Sequence, residues 1–188
     1  MLKGEKVILR PVRRSDIEYF LKWFNDPQVT QYLSMYLPMT EMAEEKFIES
    51  LGSTEAGKDA MFFIEAVEDN GNKPIGCISL DKIHPKDHHA VFGIAIGEKD
   101  YWSNGYGTES AQLIIRYGFE QLNLHRINSF AISFSERSLR LHLRVGFKEE
   151  GRQREGIFRN GAYHDHVVFG LLRKEWLELN SKMNIRGD

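Results

Sequence analysis

The stretch GEKDYWSNGYGT, Gly97 to Thr108, lies between two segments of different periodicity. Before it, Ala90 to Ile96 is an apolar run rich in β-formers; after it, Ala111, Ile115, Gly118 and Leu122 recur at helical spacing from about Thr108 to Leu122. A strand must therefore enter a helix through Asn104-Gly105-Tyr106-Gly107-Thr108. Glycines let that backbone bend tightly, and a helix N-terminus presents free N–H groups and partial positive charge. Such a place suits a phosphate or pyrophosphate, although the same glycines also serve a plain strand-to-helix turn. A nucleotide-hydrolysing P-loop is excluded because G-x-x-x-x-G-K-[ST] is absent, and Gly105-x-Gly107 lacks the further x-x-Gly of a dinucleotide fingerprint.

The rest of the chain alternates in the same manner. A strand over Lys6 to Pro11 precedes a helix that Ser15 and Glu18 would open as a capping box, with Ile17, Phe20, Leu21 and Phe24 as its apolar stripe. Asn25-Asp26-Pro27 ends it. A second helix is predicted from about Thr40 to Gly52, burying Ala43, Phe47, Ile48 and Leu51 and exposing Glu41, Glu44, Glu45 and Glu49. Strands over Ala60 to Val67, Ile75 to Ile83 and Ala90 to Ile96 are joined by Asp69-Asn70-Gly71-Asn72 and by the turn His84 to His89. A strand from Arg126 to Phe134, a helix from Ser135 to Val145 and a hairpin around Arg159-Asn160-Gly161-Ala162 complete the order β-α-α-β-β-β-α-β-α-β-β. That pattern predicts an α/β sheet with helices on its faces.

Composition narrows the function classes. In 188 residues, Lys plus Arg is 25 against 27 for Asp plus Glu, so a net charge of −2 gives no general attraction to nucleic acid or anionic membrane. No apolar run approaches membrane-spanning length, and the single Cys77 forms no internal disulfide, which points to a cytoplasmic protein. No linker divides the chain. One domain is expected over residues 1–176, with 177–188 as a C-terminal tail.

With the strand VFGIAI, the loop YWSNGYGTE and the later SERSLRLHLRVGFKEEG in this order, the chain resembles the GCN5-related N-acetyltransferases, in their ribosomal-protein-alanine and polyamine acetyltransferase-like branch. The resemblance runs from WFNDP to the closing NGAYHDHVVFGLL. It implies a mixed, mostly antiparallel sheet of about seven strands splayed near its middle, with acetyl-CoA as co-substrate in the cleft and a homodimer as a plausible assembly. The family's pyrophosphate loop falls on Trp102, Ser103, Asn104, Gly105, Tyr106 and Gly107, with Thr108 following. Trp102 departs from the usual arginine or glutamine, leaving the backbone amides from Ser103 to Thr108 to cradle the ligand. Ile94 and Ile96 lie on the strand whose main chain would hold the pantetheine arm and the thioester oxygen.

Acetyl transfer to an amine needs an unprotonated nucleophile, donors for the oxyanion and a proton for the departing thiolate. Aligning on Gly146-Phe147 puts the family's tyrosine acid on His142 and its coenzyme-contacting asparagine on Ser135. At helical spacing Ser135, Ser138 and His142 share one stripe, with Leu139, Leu143 and Val145 on the packed side. His142 is then a candidate proton donor, with an exposed helix residue as the alternative, and Ser135 and Ser138 are candidate pantetheine contacts. Asp26, Glu41 and Glu44, with Tyr32 as an aromatic wall, are candidates for an amine acceptor site; a solvated helix face is the preferred explanation of the glutamates. The acceptor is a small amine, such as a polyamine or amino sugar, or a peptide N-terminus. A non-catalytic module that binds acetyl-CoA is the rival reading. Histidines gather at His84, His88 and His89, and again at His164 and His166, but without a ligand signature of set spacing no metal site is assigned.

Overall fold

The computed structural model describes residues 1–52 and 59–184. Its strands are β1 (Leu2–Lys3), β2 (Val7–Pro11), β3 (Ala60–Ala66), β4 (Lys73–His84), β5 (His89–Ile96), β6 (Arg126–Ile132), β7 (Lys148–Arg159) and β8 (Ala162–Leu172). The helices are α1 (Ile17–Phe24), α2 (Pro27–Thr30), α3 (Glu41–Gly52), α4 (Tyr106–Glu120), α5 (Glu136–Arg144) and α6 (Arg173–Asn184). One eight-stranded sheet has the order β1-β2-β3-β4-β5-β6-β8-β7. The strand beyond the expected seven is the two-residue β1.

Every neighbouring pair is antiparallel except β5 and β6. That parallel pair is joined only from His89↔Arg126 to Phe92↔Ser129, although β5 continues to Ile96 and β6 to Ile132. The sheet therefore opens where the resemblance implied, and the β6-facing backbone of Gly93–Ile96 has no strand partner there.

Strand alternation sends neighbouring side chains to opposite faces, and each face is covered. Ile64 and Ile78 join Ala111, Ile114, Ile115 and Phe119 of α4 in the larger core. Phe63 and Cys77 join Phe20 and Trp23 of α1 in the smaller one. Trp23 stacks on Phe63 at 5.4 Å and its indole N–H donates to Glu98 at 2.9 Å. Burying such aromatic side chains stabilises the fold by about 1.5–3 kcal/mol each.

Helices α2 and α6 were not in the sequence reading, and local details differ from it in three further places. The first helical turn is not capped by Ser15 and Glu18: Asp16 accepts the Arg13 N–H at 2.7 Å and pairs with buried Arg10, because Arg10 needs a carboxylate partner. On α3 the face is rotated by about one residue. Glu44 is fully buried beside half-buried Ile48, whereas Phe47 is 41% exposed and Ala43 is exposed. Contact with α1 decides that rotation, overriding a weak apolar stripe; the side chain of Leu51 lies outside the described residues. On α5, Leu143 is 59% exposed, while Leu139 and Val145 pack inward as expected.

Candidate functional site

Where β5 and β6 part, a cavity of about 290 Å³ is bounded by the glycine loop, the end of β5, α5 and the loop after α2. Ser103 and Gly105 both have left-handed backbones, at φ 63° and 90°. Only glycine adopts the latter cheaply. Gly105 is the N-cap of α4 and no side chain caps the helix, so the first-turn N–H groups remain open to a ligand. Gly107 stands close to α5: a Cβ there would meet Leu141 at 3.2 Å.

Trp102 does not replace the absent arginine but carries one. Its indole N–H donates to the Ile96 carbonyl at 2.7 Å, and its ring lies under the Arg137 guanidinium, with Cζ 3.9 Å from the ring centroid. Tyr32 flanks the same guanidinium at 5.1 Å. Arg140 and Arg144 also line this cavity, and Lys6 Nζ donates to the Asn104 carbonyl at 3.2 Å. The cavity thus combines open helix amides with a cationic wall, the donor set of a phosphate site.

A second cavity of about 360 Å³ lies against the other flank of the opening, and Tyr32, Leu33, Ile94, Ala95 and Ser138 line both. Among its lining residues Asp81 is the one carboxylate, accompanied by Ser79, Ser129, His142 and His166 within walls such as Phe24, Met35 and Ile157. Burial pushes Asp81 above the usual carboxylate range, partly offset by the Ser79 hydroxyl donating at 2.9 Å. Cys77 also lines this cavity, and burial, with Glu44 and Asp81 nearby, pushes its thiol up to about 12. A thiol so disfavoured as thiolate is a poor nucleophile.

His142 is 2% exposed, which removes the exposed-helix alternative. Its Nδ1 lies 2.7 Å from the Ser138 carbonyl, which can only accept, so Nδ1 carries a proton. Nε2 lies 2.8 Å from Ser129 Oγ, which is 3.0 Å from the Phe92 carbonyl. The ring stacks on Phe169 at 4.6 Å, and burial lowers its pKa.

The structure brings Tyr32, Ile94, Ile96, Trp102, Ser103, Gly105, Gly107, Thr108, Ser135 and Ser138 together around the first cavity. Asn104 and Tyr106 do not line it: Asn104 donates to the Asp100 carbonyl and Tyr106 packs edge-on against Tyr101. Asp26, Glu41 and Glu44 line neither cavity. Asp26 caps α2 through the Gln28 N–H and bonds Lys99 at 2.7 Å, and that lysine with the cap holds it below the usual carboxylate range. Glu41 is exposed, and Glu44 is buried with neither oxygen hydrogen-bonded among the described residues; that burial raises its pKa. The arginines were missed although Arg137, Arg140 and Arg144 repeat at i, i+3 and i+7, the signal of one helix face. Asp81 had no local signal, since only strand pairing sets it opposite Val91 at the cavity.

A split mixed sheet, a glycine loop opening a helix at the split and cavities meeting across it define a two-substrate transferase architecture. The family model of the acetyltransferase (GNAT) domain matches residues 6–148. The SPbeta prophage-derived uncharacterized N-acetyltransferase YokL of Bacillus subtilis (strain 168) is 31% identical over 177 residues, 94% of this chain and 95% of that protein. Spermidine N(1)-acetyltransferase of Escherichia coli (strain K12) is 26% identical over 94% of this chain and 91% of its own. In fold, the spermidine N-acetyltransferase of Vibrio cholerae, solved with CoA and spermine, matches with a TM-score of 0.83 at 22% identity, covering 93% of this chain and 99% of that one. The chain belongs to the GNAT acetyltransferase family, and it is an N-acetyltransferase.

Proposed function

We propose that this enzyme transfers the acetyl group of acetyl-CoA directly to the primary amine of a small molecule. The observation that carries this reading is the meeting of a phosphate-type cavity and an amine-type cavity at the unpaired end of β5. In this reading the amides from Ser103 to Thr108 hold the pyrophosphate. Arg137, braced on Trp102, and Arg140 and Arg144 neutralise the remaining phosphate charge. The pantetheine arm runs past Ser135 and Ser138, and the backbone near Ile94 and Ile96 faces the thioester.

The acceptor enters the second cavity. There Asp81 attracts its ammonium group and, as a carboxylate with a raised pKa, helps withdraw the proton that blocks nucleophilic attack. The amine nitrogen attacks the thioester carbonyl, the C–S bond breaks, and the coenzyme thiolate leaves with a proton. A coenzyme thiol resembling cysteine, near ~8.5, leaves readily as thiolate and takes the proton that the attacking nitrogen gives up, with the Ser138 hydroxyl, where the cavities meet, as hydrogen-bonding relay rather than net acid. Because both nitrogens of His142 are engaged within the protein, we assign it a positioning role for Ser129 and Ser138. Buried Glu44 raises the pKa of Cys77, which lines the acceptor cavity, and so stands within electrostatic reach of a bound cation.

A largely apolar cavity with a single lining carboxylate favours a small amine over a peptide N-terminus. Thiol release from acetyl-CoA across a panel of monoamines, polyamines, amino sugars and N-terminal peptides tests this. Turnover of small amines that falls in Asp81→Asn while acetyl-CoA affinity is kept supports it. Turnover confined to peptides, or coenzyme binding without any turnover, overturns it in favour of a peptide acceptor or a binding module.

A further inference from the structure

At the end of β5 remote from the glycine loop, the turn from β4 brings together three side chains that acetyl transfer does not use. We propose that His84, Asp87 and His89 form a site for a divalent transition-metal ion such as Zn²⁺, Ni²⁺ or Co²⁺. One donor atom from each lies within 4.8 Å of the other two. His84 and His89 are directly opposite in the β4–β5 register, with rings stacked at 5.1 Å and 8° between planes. Asp87 folds back over the turn so that its Oδ2 is 3.2 Å from His84 Nδ1.

The turn is preorganised by its backbone. His88 takes a left-handed conformation at φ 51°, its N–H donates to the His84 carbonyl at 2.9 Å, and its own carbonyl accepts the His125 N–H at 2.6 Å. These bonds close the turn and tie its tip to the start of β6. A second observation points to a ligand: Nδ1 of His89 is buried and has no hydrogen-bond partner among the described residues. A buried imidazole nitrogen without a partner is unusual, and a metal ion would occupy its lone pair.

The donor chemistry selects the metal class. Two imidazole nitrogens and one carboxylate oxygen suit borderline transition ions, whereas Ca²⁺ and Mg²⁺ require mostly oxygen ligands. Bonds of about 2 Å imply ligands about 3.3 Å apart around a tetrahedral ion. His84 and Asp87 already stand at that spacing, so only the separations to His89 need to close, by up to about 1.5 Å, a movement within the rotamer freedom of His84 and Asp87, whose side chains are 45% and 60% exposed. On binding, His84 would release the Asp87 N–H that it accepts at 3.0 Å; that N–H is at the surface, where water replaces the bond. Water would fill the remaining coordination position.

Titration of the purified, chelator-treated full chain with Co²⁺, followed by its visible absorption, tests the site, with Zn²⁺ added as competitor. The expected result is one equivalent bound, displaced by Zn²⁺, and a metal-dependent rise in Tm. His84→Gln, His89→Gln and Asp87→Ala should each weaken binding by at least about tenfold, the lower bound set by loss of a supporting partner alone. His125→Gln and His164→Gln should bind as the parent does. Should the His89 variant fail to fold, the exposed Asp87→Ala variant carries the test. No stoichiometric binding, or binding that survives in Asp87→Ala or His84→Gln, overturns the proposal.

Discussion

The cavities on either flank of the opening in the sheet are built differently. The proposed coenzyme side is made by one continuous stretch, Trp102 to Thr108, faced by one helix, α5, and the donors it offers are mainly backbone amides. The proposed acceptor side is assembled from side chains that are far apart in sequence: Phe24, Asp81, His142, Ile157 and His166. A backbone site is set by conformation, and conformation is set by glycine; a side-chain site is set by which strands pair. The first should therefore be broken by backbone substitutions and the second by chemistry at single positions.

The largest expected effect is at Gly105. An L side chain at φ 90° strains the loop by about 1–2 kcal/mol, and a carboxylate there would face the pyrophosphate. Gly105→Glu should weaken acetyl-CoA binding by about a hundredfold or more, read by calorimetry. Asp81→Asn should lower kcat/KM for the amine by about a hundredfold, with acetyl-CoA affinity within about twofold, which separates the two cavities. Because burial raises the Asp81 pKa, the acidic limb of the parent's pH–rate profile should lie above the ordinary carboxylate range and vanish in the variant. Arg137→Ala should weaken acetyl-CoA binding by about tenfold with little change in kcat, since the guanidinium braced on Trp102 binds ground and transition states alike.

His142 gives a smaller effect, on stability. Its folded pKa lies below the unfolded value near ~6.5, so the unfolded chain takes up a proton first as pH falls. Stability contributed by neutral His142 is full above about pH 6.5 and declines below it by at most about 1.4 kcal/mol per pH unit. Urea unfolding from pH 7.5 to 5.5 should show a shallower slope in His142→Gln, with kcat/KM unchanged in shape across neutral pH. A bell-shaped profile that loses its basic limb in this variant would restore His142 as the acid. The smallest effect belongs to Met42→Gln, within about 0.5 kcal/mol, because that side chain of α3 is 68% exposed.

The same contrast decides how much was legible in the sequence. The order of elements along the chain and the glycine loop could be read because periodicity, turn residues and Gly105 report local conformation, whereas the split of the sheet followed only from the family resemblance. The stripe Ser135, Ser138 and His142 was found, yet its neighbour Arg137, Arg140 and Arg144 was passed over, although the spacing is identical. Knowing that Trp102 stood where an arginine was expected was the missed prompt: the charge had to come from elsewhere. Asp81 was illegible because its role depends on the β4–β5 register and on the parting of β6. On α3, Glu44 and Phe47 exchanged their expected places because packing against α1 outweighed a weak stripe. The pair His84 and His89 shows the same limit, since hairpin register rather than linear spacing sets the rings face to face.

The central claim is that the glycine loop and the α5 arginines bind the phosphates of acetyl-CoA. Calorimetric titration of the purified protein with acetyl-CoA, beside Gly105→Glu and Arg137→Ala, tests it most directly. Saturable one-to-one binding is predicted, abolished by the first substitution and weakened about tenfold by the second. Absence of binding to the parent chain, or equal affinity in all three proteins, would contradict the account.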